Sequence, residues 1–418
     1  MPDLRSVDEH LASILAATTP SPAVELPLLD ALDLAAAEDV VATIRLPRFD
    51  NSAMDGYAVH SADVAAAADR APVTLPVIGE IGAGQAESGV HDLPPGSAAK
   101  IMTGAPMPAG ADTVVPYEWT DRGATEVTIT RAAAPRQHVR FAGEDVATGD
   151  LVVEAGTALG PRHLGLLASL GRPSVLVRPR PRVLVVSTGS ELRDPGEELD
   201  ADSIYDGNSY LLSGSVRRAG GVASRVGLVP DRPQAFLDAL AERLPETDVV
   251  VTSGGISMGD YDVVKEALLS VGTVWFGGLA MQPGKPQGFG HLVSPDDPGR
   301  RVPFFALPGN PVSSYLSFEV FVRPALRRML GLTPETRRPV TARLTHAVTS
   351  PPGRRQFLRG VVTVGPDGTT VTEVEPVGGS GSHLVGDLAA SDALIVVPED
   401  VTAVAAGERV TVIRLDQD

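Results

Sequence analysis

Asp248-Val249-Val250-Val251-Thr252 runs directly into Ser253-Gly254-Gly255-Ile256-Ser257-Met258-Gly259-Asp260-Tyr261-Asp262. An apolar, β-branched strand is followed by a donor-rich glycine loop that closes on two carboxylates. In an open α/β sheet, ligands bind at the carboxyl ends of strands, where helix N-termini point free N–H groups. The segments around this stretch alternate in the same way. Residues 183–186 and 222–229 read as strands, with helices near 209–219 and 233–244. A helix over 261–270, strands at 273–276 and 304–307, and a helix from 311 to about 330 complete the series. Such alternation predicts a mainly parallel sheet covered by helices.

Two further loops take the same place after strands. Ser187-Thr188-Gly189-Ser190-Glu191 follows the first strand, and Leu307-Pro308-Gly309-Asn310-Pro311-Val312-Ser313-Ser314 follows the last. In the latter, Asn310 is placed as N-cap and Pro311 at the first helical position. Glycines let the backbone approach an anion, and hydroxyls add donors. Any one loop alone reads as ordinary turn chemistry; three on one edge predict a phosphate or nucleotide pocket. It is none of the common ones. No Gly-x-Gly-x-x-Gly follows a strand, and Gly284-Lys285-Pro286 has proline where a Walker loop needs Ser or Thr.

Glu191, Asp206, Asp231 and Asp262 fall at or near strand ends of this domain. Helix capping is the plainer role for such acids. Several carboxylates converging beside a phosphate loop would repel by up to about 4 kcal/mol per close pair at an effective dielectric near 20. A bound Mg²⁺ removes that repulsion and prefers one or two carboxylates plus substrate phosphates. A Mg²⁺–phosphate site is the expectation.

The rest of the chain is different in kind. Ser6-Val7-Asp8-Glu9 is a capping box opening a helix to about Ala17. Residues 22–180 read mostly as strands and turns, interrupted by a helix at about 161–170. Within them, Asp50-Asn51-Ser52-Ala53-Met54-Asp55-Gly56-Tyr57-Ala58 packs two carboxylates, an amide and a hydroxyl into six residues, a composition unsuited to a core. Separate domains or subunits must meet for it to act with the glycine loops. Arg178-Pro179-Arg180-Pro181-Arg182 marks a boundary, and 339–418 returns to short strands consistent with a small β-barrel. There, Arg354, Arg355 and Arg359 precede Gly378-Gly379-Ser380-Gly381-Ser382-His383, a set that suits either a small oxyanion or an exposed strand.

Composition sets limits. A net charge of −17 over 418 residues argues against a nucleic-acid binder. The phosphate must then be met by local cations or a divalent metal. Of 35 basic residues only Lys100, Lys265 and Lys285 are lysine, and Lys285 sits in the proline-flanked Met281-Gln282-Pro283-Gly284-Lys285-Pro286. With no cysteine there is no disulfide, thiolate metal site or cysteine nucleophile, and the eight histidines show no metal-ligand spacing. No apolar run reaches the ~18 residues of a spanning helix. With no signal-peptide layout at Met1–Arg5, a soluble, cytoplasmic protein is expected.

The stretch Phe49–Ala58 resembles the signature of molybdopterin molybdotransferases of the MoeA type, also seen in the gephyrin E domain. So do Ile101-Met102-Thr103-Gly104-Ala105-Pro106, the Ser187, Ser253 and Leu307 loops, and Pro283-Gly284-Lys285-Pro286, in the family's order. The resemblance implies an α/β fold plus β-rich modules. An elongated module would comprise 1–45 with 141–178, and a β-rich domain 46–140 would carry the Asp55 and Thr103 loops. A central molybdopterin-binding domain would span 179–331 and a C-terminal β-barrel 332–418. It implies a transferase that ligates molybdate to adenylylated molybdopterin with Mg²⁺ and releases AMP. It also implies an elongated homodimer, with the Asp55 and Thr103 loops of one subunit facing the α/β domain of the other. An upstream adenylyltransferase and molybdoenzyme acceptors are the further partners it suggests.

Carried over by position, Asp55, Glu191, Asp262 and Lys285 would be catalytic, with Asp231 and Asp262 at the metal. Substrate would meet Thr103, Ser187, Thr188, Gly189, Asp206, Asn208, Ser253, Gly254, Gly255, Ser257, Pro308, Gly309, Asn310 and Ser313, with Arg354 and Ser382 at molybdate. Two positions depart: Gln282 and Ser190 stand where the family often has lysine and aspartate. A non-catalytic scaffold and a molybdopterin adenylyltransferase are the rival readings. The latter usually consists of the α/β domain alone.

Overall fold

Ser6 opens the first helix, Val7–Ala17, with a reciprocal cap: its hydroxyl accepts from Glu9 N at 3.1 Å and Glu9 Oε2 accepts from Ser6 N at 3.0 Å. The computed structural model describes residues 4–84, 90–229, 232–256, 263–269, 274–294 and 296–416. Val7 and Ile14 of this helix join the core of the α/β domain rather than the strands that follow them in the chain. His10 packs between Trp275 and Phe321, with ring centroids 5.1 and 4.9 Å away. Burial, helped by Arg5, pushes its pKa down to about 4, so it sits there neutral at physiological pH.

The N-terminal half holds a five-stranded sheet in the order Thr113–Pro116, Gly56–Val59, Ala98–Ile101, Val73–Ile81, Glu126–Ile129. Tyr57, Val59, Leu75, Val115, Val127 and Ile129 fill its core. A separate core of Ala31, Leu34, Val40, Val153, Leu159, Leu167 and Val177 joins the two ends of this half. Among the described residues no hydrogen bond or ion pair links 46–140 to 179–331.

The central sheet runs Val222–Val229, Arg182–Thr188, Val249–Ser253, Arg301–Leu307, Pro286–Val293, Val274–Gly278. The first four strands are parallel, and Pro286–Val293 runs antiparallel to both neighbours. That strand is absent from the sequence-based series, because Pro286, Gly288 and Gly290 break the apolar pattern. The structure shows why they stand there. Proline opens the strand, where no ladder donor is missed. A Cβ on Gly288 would stand 2.7 Å from Phe276 Cδ1 and 2.9 Å from Ala306 Cβ, so only glycine fits between its neighbours.

The helix expected from 311 is three segments in line: Pro311–Ser317, a wide π turn at Phe318–Val322, and Arg323–Met329. Pro324 lacks an N–H, and the π turn just before it takes up the broken i→i−4 ladder. Glu319 in that turn accepts from Arg337 Nε at 2.8 Å, both side chains nearly sealed from water. Beyond it a five-stranded barrel closes on itself, Arg355–Val364 pairing with both Val371–Pro376 and Ala393–Val397. No helix among the described residues is long and apolar enough to cross a membrane.

Removing one member of a buried pair strands the other charge, at a cost of about 3–5 kcal/mol. Arg337→Met is therefore expected to lower unfolding stability by that order in urea titration, and adding Glu319→Leu to recover most of the loss.

Candidate functional site

The chain leaves the Arg182–Thr188 strand for the neighbour on one side and returns on the other, so the strand order reverses between Thr188 and Ser253. Ligands bind at such a switch point in α/β sheets, outside the carboxyl ends. Here Ser187 stands in register with Ser253, and Ser253 with Leu307. The three sequence-predicted loops thus leave the sheet at one level.

Their side chains are tied to each other. Ser187 Oγ donates to Asp206 Oδ1 at 3.1 Å, and Ser209 N donates to the same oxygen at 3.0 Å. Asp206, 2% exposed, is thus the N-cap of Gly207–Arg218, the capping role weighed against ligand binding for such acids. Asn208 Nδ2 donates to Ser253 Oγ at 2.8 Å and to Gly309 O at 2.6 Å, joining two of the three loops around one amide. Ser314 Oγ lies 3.4 Å from Ser253 Oγ, and Pro308 O accepts from Ser253 at 3.4 Å. Ser313 is buried in the first turn of its helix.

Thr188 Oγ1 is buried and has no partner among the described residues. Gly254 and Gly255 turn beneath it with φ of 94° and 67°; a Cβ on Gly254 would stand 2.9 Å from Thr188 O. Backbone this close, with positive φ, is open only to glycine. An orphaned hydroxyl beside two glycines is a place for an anion's oxygen. Gly189 and exposed Glu191 form the rim, the Glu191 carboxylate lying over Gly189. Ser257, Asp231 and Asp262 lie outside the described residues.

Asn310 is the N-cap by position, yet it makes no cap bond. Its Nδ2 donates instead to Ser382 Oγ of the barrel at 2.9 Å, and Ser382 O accepts from Val312 N at 3.0 Å. The three arginines separate. Arg355 is committed to Asp8, 2.7 Å, and to Glu399, 3.1 Å, while Arg359 is buried under the glycine loop. Arg354 is half-buried with no charge partner among the described residues. Lys285 is half-buried beside Gly278, its turn held by Gln287, whose Nε2 donates to Gly284 O at 2.8 Å and Ser317 Oγ at 2.6 Å. Gln287 carried no sequence signal, since a single amide in a glycine-rich strand looks like surface. Gln282 pairs in register with Gln356, each with a buried Oε1 that lacks a partner among the described residues.

In the other half, Asp55 and Thr103 meet because Gly56 pairs with Ile101. Asp55 Oδ1 accepts from Thr103 N and Oγ1, both at 2.7 Å. Those bonds, backbone first, hold its carboxyl below the ordinary 3.8. Among the described residues no group of three or more His, Asp or Glu could hold a metal ion. With Asp206 committed to capping, the described rim offers Glu191, a donor set that suits Mg²⁺ carried chiefly by substrate phosphates and water.

Three consecutive regions match the MoeA family: its N-terminal region (domains I and II) over residues 5–171, a "probable molybdopterin binding domain" over 184–328, and its C-terminal region (domain IV) over 341–415. The chain belongs to the MoeA family. Among curated relatives it is 43% identical to molybdopterin molybdenumtransferase 2 of Mycobacterium tuberculosis, over 98% of this chain and 99% of that one. It is 39% identical to molybdopterin molybdenumtransferase 1 of the same organism, over 99% and 100%. A solved structure of the molybdopterin biosynthesis MoeA protein from Pyrococcus horikoshii superposes with TM-score 0.83 at 34% identity, covering 100% of both chains. The protein is a transferase of molybdenum cofactor biosynthesis. The scaffold and adenylyltransferase readings are not favoured, the family match extending through both β-rich ends.

Thr103→Val removes one of the two bonds that hold Asp55 low. Its titration, followed by carboxyl NMR, is expected to move up towards 3.8. A carboxyl held low contributes stability above its unfolded value, so the wild type exceeds the variant at neutral pH. That difference fades as pH falls through the lowered pKa.

Proposed function

We propose that the protein inserts molybdate into adenylylated molybdopterin with release of AMP, acting with Mg²⁺ as a cytoplasmic homodimer. The observation that carries this reading is the in-register edge at Ser187, Ser253 and Leu307, with an orphaned Thr188 hydroxyl over two positive-φ glycines. Ser382 is tied to Asn310 at this edge, and in this reading it forms an oxyanion site with Arg354. A phosphate site and a second anion site side by side suit a reaction that brings an oxyanion to a nucleotide-linked substrate.

Each group has a task in that reading. The Gly254 N–H donates to Leu307 O, so the Gly255 N–H, with Thr188 and Ser257, holds the phosphates. Lys285, a compact ammonium on a fixed turn, holds an oxygen of molybdate or of the departing phosphate. Asp231 and Asp262 would hold Mg²⁺, which when bound neutralises charge as the phosphorus–oxygen bond to AMP breaks. Arg354 and Ser382 orient molybdate. Asp55 and Thr103 have no bond to the α/β domain of their own chain among the described residues, which supports a cleft completed by a partner subunit. The four-part division at 45, 140, 178 and 331, with 141–178 returning to the first part, is proposed with it.

The test is AMP release from purified adenylylated molybdopterin with Mg²⁺, with and without molybdate. Molybdate-dependent release is expected in the wild type. Asp262→Asn is expected to abolish it while light scattering still reports a dimer; full activity in that variant would sink the metal assignment.

A further inference from the structure

Arg359 is 3% exposed, in the strand Arg355–Val364. Its Nη1 donates to Gly381 O at 3.1 Å and its Nη2 donates to Gly379 O. The nearest carboxylate, Asp387 Oδ2, is 3.8 Å away. Burial lowers its pKa, the sign of a guanidinium kept out of water without a close counter-charge. Such a residue is a poor source of stability, since a well-packed apolar side chain commonly does as well. What it does supply is a planar fork of donors, here aimed at carbonyls two residues apart.

The loop it grips contains three glycines and two serines between 378 and 382, and loses much conformational freedom when ordered. One end is held by Arg359 from the outer face of its strand, the face on which Phe357 joins the α/β core. The other is held across the domain seam, where Ser382 Oγ accepts from Asn310 Nδ2 and Ser382 O accepts from Val312 N. Because Ser382 Oγ already accepts, its own proton is left to point at a ligand. The position of that hydroxyl therefore depends on both anchors, one of them a buried guanidinium that donates to the loop's own carbonyls.

We propose that Arg359 is a positioning residue for the small-oxyanion substrate: it sets where Ser382 stands, and so the affinity for molybdate, without touching it. The proposal rests on the transferase reading above. It separates affinity for the oxyanion from affinity for the nucleotide, because the phosphate loops are held by Asn208 and Asp206 instead.

Arg359→Lys keeps the charge and loses the fork. It is expected to raise the KM for molybdate roughly tenfold or more, the scale of losing hydrogen bonds to a charged group. The KM for adenylylated molybdopterin and kcat at saturating molybdate are expected to stay within about twofold. Calorimetric titration of the protein with molybdate alone should show the same weakening. A purely structural role would lower the folded fraction and kcat for both substrates together, and that outcome overturns the proposal, as does an unchanged molybdate KM. Should Arg359→Lys fail to fold, Asp387→Asn with the carbonyl bonds kept is the second variant: molybdate affinity near that of wild type supports the carbonyl grip, and a loss equal to that expected for Arg359→Lys overturns it. A wild type that releases no AMP with molybdate would instead sink the transferase reading itself.

Discussion

The level at which three parallel strands end is the constraint on which the site depends. Val183, Val185, Val249, Val251 and Phe305 face one core, while Leu184, Val186, Val250 and Phe304 face the other. A slip of one residue would exchange the two faces along a whole strand. Burial on both sides therefore locks Ser187 opposite Ser253 and Ser253 opposite Leu307. Everything polar at the edge follows from that lock. Asp206 and Asn208 enter the next helix at the height of these serines, and the glycine turn can lie under Thr188 because the strand ends coincide.

Around this edge the first helix, the α/β domain and the barrel share one apolar core, to which Val7 and Ile14, Leu307 and Leu316, and Phe357 and Leu394 all belong, and polar contacts are added at its margin. The first helix sends Asp8 to Arg355 at the start of a barrel strand, and Asn310 reaches Ser382 from the α/β side. The barrel keeps its own core of Leu344, Val374, Ile395 and Val412. Its position relative to the sheet is set by the shared apolar core, by directed bonds at the edge of that core, and by the Met281–Gln282 pairing onto Arg355–Gln356. Directed bonds fix geometry more sharply than apolar contact, which suits a seam that, in the proposed reading, grips substrate from two domains.

The chain carries −17 yet handles anions. In the proposed site the charge is met locally. Lys285 and Arg354 are kept from acidic partners among the described residues, while most other arginines near the seam are tied to Asp, Glu or backbone carbonyls. An excess of negative charge elsewhere leaves few competing sites for a small oxyanion.

By itself the sequence determined the alternation of strand and helix, the capping box at Ser6, the three glycine loops and the family signature, because these are written in local periodicity and in residues with special backbone freedom. The tertiary structure alone decided which side chains act as supports. Asn310 reads as a cap and turns out to bridge domains; Asp206 reads as one of several site acids and is a buried cap. Gln287 carries no local pattern at all, Arg359 reads only as one of three arginines ahead of a glycine loop, and the strand Pro286–Val293 hides behind glycines that exist to fit Phe276 and Ala306. Each of these roles is fixed by a partner distant in the chain, and a local reading of the sequence does not contain that distance.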